Sequence, residues 1–172
     1  MVDDEFTKNR FELEQVLVIL FRSLQELLIL SKRERVSLLN EPDQILQIVE
    51  DKEVLLDKIS VLEDKCRQIV QELSLTLNLR HEDTSIQSLL PFFKSEEASR
   101  IKNLSDGIHS LASQARDLNH ASQAIAITKL DWLKATQSFL IGMFQPEAGY
   151  RSPRDGMKHQ EPVAGLGVEI RA

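Results

Sequence analysis

The sequence is poor in the residues that build cross-linked, metal-bound or aromatic-rich cores. Its 172 residues include one cysteine, Cys66, which excludes an intramolecular disulfide and any metal motif built on paired cysteines. Aromatic residues make up only 5% of the chain, and leucine and isoleucine dominate its apolar residues. This mix favours helices. The composition therefore predicts one helical domain without covalent cross-links.

A block of positive charge is also missing. The formal net charge is −6, and the densest basic run, Ser31 to Arg35, also contains Glu34. Proteins that bind nucleic acids neutralise the phosphates with clustered Lys and Arg side chains. We therefore predict no nucleic-acid partner.

Neither a signal peptide nor a membrane span stands out. The first residues, MVDDEF, are acidic where a signal peptide is basic. The most apolar segment, Leu13 to Leu30, contains Glu14, Arg22 and Glu26, and such charges argue against a membrane span. We expect a soluble, cytoplasmic protein with no membrane span.

Helical spacing of apolar residues dominates the first half of the chain. It predicts a first helix over about residues 4–39, a break at Pro42, and a second helix over about residues 43–79. The second helix carries a regular heptad in which Lys52 and Cys66 occupy core positions. Because the connection is short, the two helices should pack antiparallel.

The second half predicts one short helix and one very long helix. One or two helical turns should begin near Thr84, and Ser95 is a candidate N-cap followed by two glutamates. The three-four spacing then continues through Gly107 to Met143, which favours one continuous helix that ends near Phe144. The predicted fold is all-α: an elongated, coiled-coil-like antiparallel bundle of three long helices plus one short helix.

After Phe144 the composition of the sequence changes from helix-forming residues to residues that interrupt helices. Proline and glycine recur in quick succession between Pro146 and Gly167, with no sustained apolar period. Such a segment buries too little surface to offset the entropy of ordering it. We therefore predict a helical domain over residues 1–144 and a disordered tail over residues 145–172.

No arrangement of catalytic or metal-binding side chains can be picked out. His109 and His120 lie eleven residues apart on one predicted helix, about 16 Å along its axis, so they cannot share a metal ion. A phosphoryl-accepting His120 is the one enzymatic alternative, but the Lys-Gly pair that usually follows such a histidine is missing. We predict no catalytic residue, no metal site, no cofactor and no enzymatic activity.

Apolar residues accumulate near the end of the long helix, where the bundle is expected to run out of partners. Trp132 and Phe139 follow the main apolar spacing, whereas Ile141 and Phe144 fall outside it. Leaving large apolar side chains in water is unfavourable and promotes association. These residues either pack in the core, which is the alternative favoured for Trp132, or bind a partner protein.

The second and last long helices resemble the FlgN-like family of flagellar export chaperones. The run that contains Lys52, Glu63 and Arg67 is similar to the family's pattern in the second helix. Leu118 and Asn119 match the start of its leucine-asparagine motif, although Ser122 stands where a second asparagine would fall. The similarity covers about residues 10–156.

The resemblance implies a function. Such chaperones bind hook-associated flagellar proteins in the cytosol, prevent their early assembly, and deliver them to the export gate of the flagellar type III apparatus. If the family's roles apply to this sequence, the cargo surface would include Trp132, Phe139, Phe144 and the tail. Tyr150 would then be the residue that docks on the export gate. No cofactor is implied. The alternative is a coiled-coil assembly protein that associates with itself, for instance as a homodimer.

Overall fold

Every regular element that the computed structural model describes is helical, and the described residues are 2–40, 42–79 and 84–144. This confirms the predicted all-α fold of three long helices and one short helix. The region predicted to be a disordered tail, residues 145–172, lies outside the described residues. The helices are α1 (Val2–Asn40), α2 (Ile45–Thr76), α3 (Ile86–Leu89) and α4 (Ser95–Phe144).

α1 and α2 form an antiparallel hairpin. The chain turns at Pro42, which has no N–H group to continue a helix and begins a short 3₁₀ turn. Glu34 Oε2 lies 2.7 Å from Lys52 Nζ, and Glu12 Oε1 lies 2.6 Å from Lys65 Nζ. Partner numbers fall on α1 as they rise on α2, so the two helices run in opposite directions, as the short connection predicts.

α4 lies against α1 and runs parallel to it up to residue 132. Near its start, Glu97 Oε2 lies 2.6 Å from Arg10 Nη1. Much further along, Lys129 Nζ donates a hydrogen bond of 3.3 Å to the carbonyl of Leu39. Partner numbers rise together on both helices. α2 is therefore antiparallel to both of its long neighbours.

The end of α2 is set by a left-handed residue. α2 ends at Thr76 rather than at Leu79, because Asn78 has φ 53° and cannot continue a right-handed helix. Its N–H donates to the carbonyl of Leu75, and the N–H of Leu79 donates to the carbonyl of Ser74. These two bonds are the Schellman arrangement, which satisfies carbonyls that the helix leaves open.

The connection to α4 contains two capped turns. Ser85 and Ser88 form a reciprocal capping box around the start of α3. A 3₁₀ turn that contains Pro91 follows, and α4 then begins. Its first hydrogen bond runs from the Ala98 N–H to the Lys94 carbonyl, so Lys94 holds the N-cap position and Ser95 is the first helical residue. The assignment of Ser95 as the N-cap was one residue too late.

The core consists of two clusters that draw side chains from α1, α2 and α4. Both clusters contain buried aliphatic side chains of α1, and α1 also forms ion pairs with α2 and with α4, so it lies against both of the other long helices. One cluster contains Leu13, Val16, Leu17, Cys66, Ile69, Val70, Leu73, Leu89, Phe93 and Ile101. The other contains Leu20, Leu24, Leu27, Leu55, Ile59 and Ala115.

α4 passes through Gly107 without interruption, as the spacing predicts. Glycine is needed at this position because a side chain of α1 lies very close to the backbone of α4. A Cβ atom added to Gly107 would lie 2.7 Å from Cε2 of Phe21 on α1, closer than two carbon atoms can approach without displacement. Gly107 therefore makes room for an aromatic ring from α1.

The contacts divide the chain into two units. The first unit is Met1–Trp132, and the second unit begins at Leu133. Both cores, all of α1–α3 and the first part of α4 belong to the first unit. The second unit contributes the last twelve residues of α4, 133–144, to the described part of the chain.

Candidate functional site

The second unit exposes a dense group of apolar side chains on α4. Phe139 is 66% exposed and Ile141 is 52% exposed. We call the exposed apolar side chains of this unit the distal cluster. Two residues expected to act with it are not described at the side-chain level: Phe144 belongs to α4 without a described side chain, and Tyr150 lies outside the described residues. The members of the distal cluster are Leu133, Phe139, Leu140, Ile141 and Met143.

Trp132 is the last residue of the first unit and is 66% exposed. The structure therefore does not show the core packing that was the favoured alternative for this side chain. Ile127 and Leu130, on the preceding turn of α4, are also exposed. Scattered exposed apolar residues are normal on protein surfaces, but an accumulation on one helix indicates a surface that contacts another molecule.

A groove lies between α2 and α4, and buried leucines of α1 form its floor. It has a volume of about 270 Å³. Three of the five residues that carried the family resemblance line it, namely Lys52 and Glu63 from α2 and Asn119 from α4. Leu118 is half-buried on α4 beside Asn119. The structure thus brings together side chains that are far apart in the sequence.

A second groove lies next to the first and is lined by α1, α2, α4 and the start of α3. Its volume is about 310 Å³, and Glu63 lines both grooves. Arg67, which also carried the family resemblance, lines the second groove and pairs with Asp64 at 3.0 Å on an exposed surface. We call the two grooves together the α2–α4 groove.

Cys66 lies in the wall of the second groove and is buried, as its heptad position predicts. Burial raises the pKa of its thiol, and the carboxylate of Glu63 raises it further, while Arg67 has an opposing effect. Since the thiolate is the reactive form of cysteine, this thiol is protonated and unreactive at neutral pH.

Lys52 is buried within the bundle, which is rare for a lysine. Its ammonium group donates a hydrogen bond of 2.7 Å to Glu34 of α1, and the two side chains are 10% and 13% exposed. The heptad predicted the position of Lys52 but gave no indication of its partner. A charge at a core position needs a countercharge, and that requirement was the only signal in the sequence that could have identified Glu34.

The described residues contain no group of three or more potential metal ligands. The Nδ1 atom of His109 lies 2.8 Å from the carbonyl oxygen of Ser105, a local contact within one turn of α4. In the same ranges, no helix has the length and apolarity needed to cross a membrane. The two apolar grooves and the apolar end of α4 are surfaces of a kind that suits protein binding.

Sequence reasoning missed the grooves. The first groove arises where α4 presents Ala112 and Ala115 to leucines of α1, so that volume is left between the helices. In the sequence these alanines follow the same spacing as ordinary core residues. Only the placement of three helices shows that the space is unfilled.

Comparison with known proteins supports the resemblance. Searches of curated proteins and of solved structures gave no match. The sequence profile of the FlgN protein family matches residues 2–155, which is most of the chain and includes the second and last long helices. The chain therefore belongs to the FlgN family, a family of flagellar export chaperones.

Proposed function

We propose that this protein is a cytosolic chaperone that binds hook-associated flagellar proteins. It would prevent their premature assembly and deliver them to the export gate of the flagellar type III apparatus. Family membership supports the class of function. The observation that carries the binding role is the distal cluster, because it offers a concentrated apolar surface on the last turns of α4.

The physical chemistry of the distal cluster suits reversible binding of a protein chain. Burying one large apolar side chain is worth about 1.5–3 kcal/mol, so burying several of them on a cargo surface outweighs the entropy lost on association. An amphipathic cargo helix laid along α4 would contact side chains three and four residues apart. Neither a nucleotide nor a metal ion is needed for this.

The test compares serine substitutions at matched positions. Phe139→Ser should weaken the binding of a purified hook-associated flagellar subunit by about 30-fold, the equivalent of about 2 kcal/mol. Phe11→Ser is the control, since Phe11 on α1 is 62% exposed and lies in the first unit. Isothermal titration calorimetry measures both affinities, and circular dichroism checks that helicity is retained. Equal binding by the two variants and the unmodified chain would contradict the assigned surface.

The alternative of a self-associating coiled-coil protein has one feature in its favour. An outer groove of about 470 Å³ between α1 and α2 is lined by the exposed side chains of Ile29 and Val54. Sedimentation velocity separates the two functions. A tight oligomer that Val54→Ser dissociates, together with no binding of flagellar subunits, would favour self-assembly over the chaperone function.

A further inference from the structure

The outer groove lies on a face of the α1–α2 hairpin that carries a row of exposed apolar side chains. Ile29 of α1 and Val54 of α2 line the groove, and they are 58% and 73% exposed. No described residue of α4 lines it. The row is extended at helical spacing by further exposed side chains, namely Val36 and Leu39 on α1 and Leu46 and Val61 on α2. So much apolar surface on one face indicates an interface.

The same face has a positive half on α1 and a negative half on α2. The exposed cations of α1 are Lys32, Arg33 and Arg35, and the first two line a further groove of about 290 Å³ together with Val36. The exposed charges of α2 lie within residues 50–58 and are mostly anions. They are Glu50, Asp51, Glu53 and Asp57, with Lys58 as the one cation.

The two charged stretches lie at the same level of the hairpin. Glu34 contacts Lys52, so residue 34 of α1 stands beside residue 52 of α2. Residues 32–35 are therefore level with residues 51–54. None of the exposed charges in these two stretches forms an ion pair within the described part of the chain, so they remain available to another molecule.

The distribution of charge determines how a second copy of the chain would cover this face. A two-fold axis parallel to the hairpin lays α1 of each copy on α2 of the other at the same level, so cations meet anions twice. A two-fold axis across the hairpin lays α1 on α1, and the cations then repel one another. The first arrangement also makes all neighbouring helices antiparallel, as in a four-helix bundle.

We propose that the outer face of the α1–α2 hairpin binds the same face of a second copy, with a two-fold axis parallel to the hairpin. This inference goes beyond the proposed chaperone function and does not depend on it. The face is about 22 Å long from Leu46 to Val61 and two helices wide, which is roughly 450 Å² in projection for each copy. Such an area is near the lower limit for specific interfaces. We therefore expect a reversible dimer with a Kd on the order of 10 μM.

The first test reverses the charge of the α1 half. Lys32→Glu/Arg33→Glu should weaken dimerisation by about 30-fold or more, because each reversal acts twice in a symmetric dimer. Sedimentation velocity of the full chain between about 5 and 300 μM measures the dissociation constant. The control is Lys8→Glu/Lys102→Glu, which makes the same change in net charge at exposed positions that do not line the outer groove.

A reciprocal change tests whether α1 of one copy meets α2 of the other. Adding Glu50→Lys/Glu53→Lys to Lys32→Glu/Arg33→Glu exchanges the signs of the two halves. The dimer should return to within about threefold of the original affinity, because anions of α1 then meet cations of α2. A dimer with α1 on α1 would not be restored. All of these positions are exposed, so circular dichroism should show unchanged helicity.

Two apolar substitutions locate the interface. Val54→Ser should weaken the dimer about tenfold, since two valines leave the interface. Phe139→Ser should leave it unchanged. The inference is overturned if the chain is a monomer throughout the concentration range or if the control variant weakens the dimer as much as Lys32→Glu/Arg33→Glu. Failure of the reciprocal change, or a dimer that only Phe139→Ser dissociates, would also overturn it. Each of these outcomes leaves the chaperone function standing, because cargo binding is measured separately.

Discussion

At the scale of single residues, the packing around Gly107 outweighs the general preference of a helix for alanine over glycine. Alanine is favoured over glycine within a helix by about 1 kcal/mol. Here a Cβ atom would meet the Phe21 ring at 2.7 Å, and overpacking a core typically costs about 1–3 kcal/mol. We expect Gly107→Ala to lower the free energy of unfolding by about 1 kcal/mol, because the steric cost exceeds the gain in helix propensity. Urea unfolding followed by circular dichroism measures this.

Two control variants separate propensity from packing. Gly142→Ala lies on the same helix, and the added Cβ would meet nothing within 4 Å beyond the adjoining helix itself, so only the favourable propensity remains and helicity should not fall. In a Phe21→Leu background, Gly107→Ala should become stabilising because the ring is gone. If Gly107→Ala is stabilising beside an intact Phe21, the ring moves freely and the close approach imposes no constraint.

At the scale of elements, the Lys52–Glu34 ion pair joins α1 to α2. Removing one partner of this partly buried pair leaves a charge without its hydrogen-bond partner, which costs about 1–3 kcal/mol. We expect Lys52→Met to lower the free energy of unfolding by about this amount. The double variant Lys52→Met/Glu34→Leu should lose less than about 1 kcal/mol, because apolar packing replaces the pair. Chemical unfolding of Lys52→Met, Glu34→Leu and the double variant gives the coupling free energy between the two side chains.

The exposed pair of Arg67 and Asp64 is the matched control. Its side chains are 75% and 70% exposed, and solvent screening reduces such a pair to about 0.5 kcal/mol or less. Arg67→Met should therefore change stability little. Equal losses for Lys52→Met and Arg67→Met would show that water reaches Glu34 and that the pair is not truly buried.

Helix positions were largely predictable, and helix ends were less so. Pro42 and the heptad after it predicted the break and the pairing of α1 with α2, because proline chemistry and apolar period are local properties. The end of α2 was placed three residues too late, since Leu77 and Leu79 extend the apolar pattern past Asn78. The backbone of Asn78 turns left-handed there, a choice set by the Schellman hydrogen bonds.

The α2–α4 groove shows why the site was harder to predict than the fold. The small residues Ala112 and Ala115 satisfy the same spacing rule as leucine, so the pattern predicts a core without specifying how well it fills. Glu34 likewise looks like one more charge in a polar run. Both features depend on which residues meet across helices, and apolar spacing carries no information about that.

At the scale of the whole molecule, we propose a division of labour between the helices and the tail. Proline and glycine recur through residues 145–172 without a sustained apolar period, so deleting this segment should leave helicity and melting temperature nearly unchanged. Binding of a hook-associated subunit should fall sharply, since the family resemblance assigns cargo binding partly to this segment. Circular dichroism and calorimetry test the two halves of this prediction.

Substitutions at Tyr150 test the role of a single residue within the tail. Tyr150→Ala should leave the helical body intact and reduce export of the cargo, whereas Tyr150→Phe, which keeps the ring, separates the role of the hydroxyl. Secretion assays report the outcome. Normal export in Tyr150→Ala, or unfolding of the truncated body, would contradict this division.

The central place of α1 has a consequence for synthesis on the ribosome. α1 can pair with α2 as soon as Thr76 has emerged, but the α4 segment up to Ala115, which covers the other side of its leucines, is made about 40 residues later. At typical elongation rates that delay is about 2–8 s. Throughout it, the nascent hairpin exposes an aliphatic surface, so we expect the chain to be vulnerable to aggregation until α4 is made.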